Sequence, residues 1–206
     1  SFELMVEDGS LKVLRILSNA SAVIAEGEVN QLTAQRQVGT TEDRYLDIIG
    51  AKTAALFAAA CRIAAVVAER DEVVELALDS YGRNLGIAFQ LVDDAIDYVS
   101  DEETMGKGVG DDFRDGKVTL PVILAYARGT AEERTFWEAA MVGHRTSDED
   151  LAYATTLLEK HDAVADTLVR ARHYAQRAID ALGIFPTGQA RAALAEAAEF
   201  AVARAY

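Results

Sequence analysis

The sequence predicts an all-α fold, a multi-helix bundle built as one domain of 206 residues. Three observations predict it. Half the residues are hydrophobic, with Ala and Leu abundant, and only two prolines interrupt the chain. Apolar residues recur at helical spacing along nearly the whole length, with Ser or Thr ahead of the runs and Gly behind them. No period-two alternation bounded by turn residues occurs, which leaves no candidate strand. A chain of this length can bury a substantial single core. It has no internal repeat, low-complexity tract or linker, so residues 1–206 read as one domain.

Helices are expected near 2–7, 10–32, 42–67, 71–99, 118–128, 131–140, 147–159, 162–182 and 187–204. Phe2 to Val6 reads as the middle of a helix with no start signal. Ser10, Thr41, Ser147 and Thr187 are expected amino-terminal caps, because their side chains can accept from the free N–H groups of the first turn. Gly9, Gly39, Gly129, Gly143 and Gly183 mark stops. Pro121 is tolerated in the first turn of the 118–128 helix. Pro186 sits in the break before the last one. The richest apolar stretch, Ala54 to Cys61, is bracketed by Lys52 and Arg62. No unbroken apolar run therefore reaches the roughly 18 residues of a membrane span, and no transmembrane segment is expected.

The charge balance narrows the function. At a net charge of −14, nucleic acid and anionic membrane surfaces are poor partners. Cys61, the only cysteine, allows no intramolecular disulfide and fits a reducing, cytoplasmic setting. It reads as a core residue, as Tyr98 and Trp137 read as packing. His144, His161 and His173 lack metal-ligand spacing and read as surface residues. No phosphate loop of the Gly-x-x-x-x-Gly-Lys-Ser/Thr type is present, which argues against nucleotide use.

One helix carries chemistry. Within 71–99, Gln90, Asp93, Asp94 and Asp97 share a stripe, since positions three and four apart are neighbours on a helix. Leu85, Phe89, Val92, Ile96 and Val99 form a second stripe, and Leu91, Ala95 and Tyr98 a third. A helix apolar on most faces is a buried helix. Carboxylates inside it need compensation, because burying an unpaired charge is very costly. Mg²⁺ is a natural counter-ion: it takes oxygen ligands and is commonly shared between one or two carboxylates and a substrate's phosphates. Asp93, Asp94 and Asp97 are thus candidate metal ligands.

The residues around the stripe fit an anion. Gly106 to Lys117 is glycine-rich and mixed in charge, and Lys107 and Lys117 are point charges suited to phosphate oxygens. Lys52 and Thr53 lie among Ile48, Ile49, Leu56 and Phe57, so Lys52 reads as a buried ammonium in want of an anion. Gln90, on the acidic stripe, reads as facing the ligand. Asp112 reads as a loop-closing side chain and Asp111 as exposed. For Glu26, Glu28 and Gln31, helix pairing is as good a reading as a ligand role.

Asp93-Asp94-Ala95-Ile96-Asp97, followed by Gly106-Lys107-Gly108 and Gly116-Lys117-Val118-Thr119-Leu120-Pro121, resembles the second aspartate-rich motif of the trans-prenyl diphosphate synthases. Glu26 to Leu32 and Lys52 to Leu56 resemble two further blocks of that family, in the same order. The similarity spans most of residues 1–130. Ser18 to Glu26 is most similar to the long-chain members that make octaprenyl or decaprenyl side chains of quinones. The last seventy-odd residues carry no diagnostic motif.

The resemblance implies an isoprenoid-synthase helical bundle and Mg²⁺-dependent prenyl transfer. An allylic diphosphate ionises, and the double bond of isopentenyl diphosphate attacks the cation. Carried over by motif, Asp93, Asp94 and Asp97 hold metal. Lys52, Thr53, Gln90, Lys107 and Lys117 bind diphosphate. Lys52, Asp93 and Lys107 contribute to catalysis. A homodimer through 10–32 and 42–67 is implied as well. The family's first aspartate-rich motif, its adjacent arginines and its Gly-Lys-Arg element have no counterpart here. The chain thus reads as the carboxyl-terminal two-thirds of a synthase, inactive alone. A non-catalytic partner subunit and a terpene cyclase on the same fold are the alternatives.

Overall fold

A computed structural model describes residues 3, 7, 9–98 and 110–204. Side-chain caps set half of the α-helix starts among the described residues. Ser10 caps α1 (Leu11–Ala34) by accepting from the Val13 amide at 3.3 Å, and Thr41 caps α2 (Glu42–Ile49) through the Arg44 amide at 3.2 Å. A π-helical turn, Gly50–Ala54, leads directly into α3 (Ala55–Val67). Asp71 caps α4 (Glu72–Ile96) through the Val74 amide at 3.0 Å. A short helix α5 (Asp111–Arg114) precedes α6 (Leu120–Arg128), which has Pro121 in its first turn. Thr130 and Ser147 form reciprocal capping boxes for α7 (Ala131–Met141) and α8 (Asp148–Lys160). The chain closes with α9 (Ala163–Ala181), a 3₁₀ turn (Leu182–Ile184) and α10 (Gln189–Ala203).

The architecture is all-α, as the periodicity predicts, with no strand among the described residues. Several details differ from the sequence reading. The 42–67 run is interrupted by the π turn rather than continuous. The segment after the acidic helix contains α5. Thr187 caps nothing: α10 starts from Gly188 without a side-chain cap. His161 is not a surface residue; its side chain is 13% exposed and its Nε2 lies 2.9 Å from Glu133 Oε2. Most of the expected 2–7 helix falls outside the described residues.

Helix α4 is the axis of the bundle, packed along its length by α9 and α3, with α1 across α3. The main core places Trp137 between Phe113 and Phe136, ring centroids 6.4 and 5.5 Å away in edge-on contact. A second cluster joins Tyr81, Ala178, Leu182 and Ala198, and the Tyr81 hydroxyl donates to the Leu194 carbonyl at 2.8 Å. Cys61 is half-buried at the edge of this cluster rather than enclosed in the core. Glu42–Val67 forms a 26-residue helical run of mean hydropathy 1.5 over its most apolar stretch, enough in length and composition to cross a membrane. Here it packs against α1 and α4, with 39% of that stretch buried and Lys52 lining the cavity.

Two close approaches hold the π turn. A Cβ on Gly27 of α1 would lie 2.6 Å from the Lys52 amide nitrogen. A Cβ on Gly86 of α4 would lie 2.6 Å from Ala54 Cα. Only glycine lets both backbones come this near, so Gly27 sets the distance of Lys52 from α1. The Glu-Gly-Glu block therefore has a packing reason. By contrast, a Cβ on Gly50 meets nothing within 4 Å, and its φ of −60° and ψ of −43° are helical.

This geometry separates two glycines by their effect on stability. Gly86→Ala overpacks a backbone contact and should cost about 1–3 kcal/mol. Gly50→Ala should be neutral or stabilise by up to about 1 kcal/mol, because alanine is the better helix former. Urea unfolding midpoints of the two variants check this; equal shifts would contradict the clamp. Separately, Glu133 takes hydrogen bonds from Lys160, the Thr130 amide and His161, which hold its carboxyl down at about 2, below its ordinary 4.5. A depressed carboxylate stabilises the fold above its unfolded pKa and loses that contribution as pH falls through the folded one. Glu133→Gln should therefore be less stable than wild type at neutral pH, and the gap should close as pH falls from 4.5 towards 2. Unfolding midpoints of both proteins at neutral pH and at about pH 3 measure it.

Candidate functional site

The carboxyl end of α4, the π turn, the end of α1 and the 112–119 segment enclose a cavity of about 550 Å³. Tyr45, Lys52, Gln90, Asp93, Asp94, Asp112 and Lys117 all line it. The segment is fixed to the end of α1 by two hydrogen bonds. Arg36 donates its amide to the Gly116 carbonyl at 3.0 Å, and Gln35 Nε2 donates to the Asp115 carbonyl at 2.7 Å. Ile48, Ile49, Leu32 and Val118 supply an apolar wall.

Asp94 is the hub. It is 1% exposed, and both its oxygens are engaged. The Tyr45 hydroxyl donates to Oδ2 in a short hydrogen bond. Gln90 Nε2 donates to Oδ1 at 2.9 Å, and Lys117 Nζ stands 3.4 Å from the same atom. Burial pushes the Asp94 carboxyl up to about 6, against the opposing pull of Lys117. Tyr45 is held well above the usual phenol range, first by burial and then by the Asp94 charge. Lys117 also bonds both Asp112 oxygens, at 2.9 and 3.0 Å. Burial works against its charge, yet Asp94 and Asp112 outweigh it and keep the ammonium protonated.

Gln90 passes the network on. Its Oε1 accepts from the Thr53 hydroxyl at 2.9 Å, so the amide links α4 to the π turn. Lys52 is not the bare buried ammonium of the sequence reading. Its side chain is 32% exposed, bonds Gln31 and sits 3.2 Å from Glu28. Those two residues thus pair with a site lysine rather than only pairing helices. Asp93 lies open on the cavity wall, and its carboxylate makes no hydrogen bond or ion pair among the described residues. Asp97 is half-buried and does not line the cavity; its Oδ2 accepts from the Asp112 amide at 3.1 Å. Burial, then the nearby Asp112, push its carboxyl up to about 6. Lys107 lies outside the described residues.

Tyr45 and Asp112 are the site residues that the sequence reading left without a binding role. Tyr45 has a faint signal: a phenol on the buried face of α2, seven residues before Lys52. Asp112, expected as a loop-closing side chain, bonds Lys117 at the cavity, while Asp111 is exposed as expected and pairs with Arg114.

The donor set suits a hard cation. Five carboxylates line the cavity (Glu28, Asp93, Asp94, Asp112 and Asp115) against two ammonium groups, Lys52 and Lys117. No cluster of three or more acidic, His or Cys side chains is preformed for a metal among the described residues. Mg²⁺ needs no such cage when a substrate's phosphates complete its shell. Asp93 has no partner for its carboxylate among the described residues, and Lys52, Lys117 and Gln90 line the same space with donors.

A family model for polyprenyl synthetases matches residues 1–158. The octaprenyl diphosphate synthase of Haemophilus influenzae is 41% identical over the whole chain, which spans 62% of that relative's length. Among solved structures, a polyprenyl synthase from Caulobacter crescentus, complexed with calcium and isoprenyl diphosphate, is 49% identical with a TM-score of 0.95. It is matched over 100% of this chain and 62% of its own. A decaprenyl diphosphate synthase from Rhodobacter capsulatus is 43% identical with a TM-score of 0.93, over 100% of this chain and 63% of its own. With the acidic helix end, the π turn and the basic segment placed around one cavity, the chain belongs to the polyprenyl synthetase family.

Proposed function

We propose that the protein elongates an allylic diphosphate by head-to-tail addition of isopentenyl diphosphate, giving a long all-trans polyprenyl diphosphate. The observation that carries the reading is the cavity itself: an open carboxylate, Asp93, faces a ring of diphosphate-type donors beside an apolar wall. Similarity to octaprenyl and decaprenyl synthases supports the product class, and a quinone side chain is the use it suits. The acceptor in this reading is isopentenyl diphosphate.

In this reading Asp93, Asp94 and Asp97 supply the negative charge that holds Mg²⁺, with Asp93 the most accessible. Bound there, the metal would screen charge on the departing diphosphate. The chain's own residues do the rest. Lys52, Thr53, Gln90 and Lys117 bind diphosphate oxygens, with Lys107 as a fifth contributor from the sequence. Preformed donors of this kind stabilise developing charge without reorganising. Ile48, Ile49, Leu32 and Val118 exclude water from the carbocation. Exposed Leu11, Val29, Leu56 and Val67 on α1 and α3 support a homodimer through those helices. Residues 1–206 alone carry one acidic helix end and are expected to be inactive; the full-length protein should elongate.

Asp93→Ala in the full-length protein should lower kcat by on the order of 10²–10³, the usual cost of one transition-state electrostatic contact. Asp111→Ala, at an exposed position paired with Arg114, should change kcat less than about twofold. Isopentenyl incorporation onto farnesyl diphosphate measures both, and equal effects would mean that Asp93 is misassigned. A chelator should abolish turnover and added Mg²⁺ restore it; activity persisting in chelator would count against the metal.

A further inference from the structure

Every donor to Asp94 but one has a place in the proposed chemistry. The exception is Tyr45. It is 4% exposed, and its hydroxyl has Asp94 as its acceptor. Its element, α2, runs through the π turn to Thr53, whose hydroxyl bonds Gln90. The four side chains close a ring: Tyr45 to Asp94, Asp94 to Gln90, Gln90 to Thr53, and Thr53 back along the backbone to Tyr45.

The ring fixes the polarity of an amide. Gln90 turns its NH₂ towards Asp94 Oδ1, at 2.9 Å, and its carbonyl oxygen towards the Thr53 hydroxyl, also at 2.9 Å. One amide hydrogen is used at Oδ1; the second is left for the cavity. Tyr45 occupies Oδ2, which leaves Oδ1 as the atom where Gln90 and Lys117 converge. Without the phenol, Oδ2 would be a buried acceptor with no donor. The carboxylate would then rotate to share Gln90 or Lys117 between its two oxygens.

We propose that Tyr45 is a positioning residue for diphosphate recognition: its hydroxyl locks the Asp94 carboxylate, and through it aims the Gln90 amide and the Lys117 ammonium at the ligand. This rests on the diphosphate reading of the cavity. Tyr45 lines the same cavity, but its hydroxyl is committed to Asp94 and acts through that carboxylate.

The test uses the full-length protein, with Mg²⁺ and inorganic pyrophosphate as the probe. Calorimetry gives affinities for wild type, Tyr45→Phe, Gln90→Leu and the double variant, and ligand-free melting is measured beside them. Tyr45→Phe should weaken pyrophosphate binding about tenfold, the scale of one hydrogen bond to a charged group. Its melting temperature should fall by no more than a few degrees. The double variant should lose less than the product of the two single effects, because the phenol works in part through that amide and in part through Lys117. Unchanged affinity in Tyr45→Phe overturns the proposal. So does a large melting loss without an affinity loss, and so do multiplicative effects in the double variant. If wild type itself fails to bind Mg²⁺–pyrophosphate, the diphosphate reading falls first and this inference with it.

Discussion

A buried carboxylate governs this structure. Asp94 is almost wholly removed from water, inside a helix whose other faces are apolar. An ionised group there is tolerable only when its oxygens are matched by donors. The protein supplies three, from three separate elements: Tyr45 on α2, Gln90 one turn earlier on α4, and Lys117 from the segment leading to α6. Satisfying one charge therefore ties together the parts that form the cavity. The same matching sets the site's electrostatics. Lys117 balances Asp94 and Asp112 within the protein, and Asp93 has its carboxylate open to the cavity and unmatched among the described residues.

Backbone packing supports that arrangement from behind. Gly27 and Gly86 bring α1 and α4 against the π turn, closer than any side chain would permit. A π turn inside a helix often marks a functional site, because one extra residue in the turn shifts the helical register beyond it. Here it carries Lys52 to the cavity and the Thr53 hydroxyl to Gln90, while Ala54 and Ala55 on the same run stay buried. The network around Glu133 plays a comparable part at the far end, joining the start of α7 and the end of α8 through Lys160 and His161. Its partners lie outside the cavity lining, and it reads as structural.

Much of the fold is legible in the sequence, for reasons that are themselves physical. Helix periodicity and caps at Ser10, Thr41 and Ser147 depend on neighbours a few residues apart, so the pattern exposes them. The acidic stripe is readable because Gln90, Asp93 and Asp94 lie within little more than one turn. Pairing at a distance is not readable in the same way. Tyr45 and Asp94 are 49 residues apart, and Lys52 meets Gln31 across 21. Nothing local marks Lys117 as the partner of Asp112, or His161 as that of Glu133. The failed cap at Thr187 shows the converse: a local signal with a plausible residue, overruled because Gly188 begins the helix instead.

A metal-bound diphosphate held between Asp93 and the Lys52–Gln90–Lys117 donors is the central claim. Crystals of the full-length protein soaked with Mn²⁺ and a non-reactive allylic diphosphate analogue would test it most directly. Anomalous scattering locates the metal, and the phosphorus positions locate the diphosphate. The expected result is a manganese peak in contact with the Asp93 carboxylate and bridged to the diphosphate, with Lys52, Gln90 and Lys117 within hydrogen-bond reach of its oxygens. A metal bound away from the carboxyl end of α4, or a diphosphate seated outside the cavity, would contradict it.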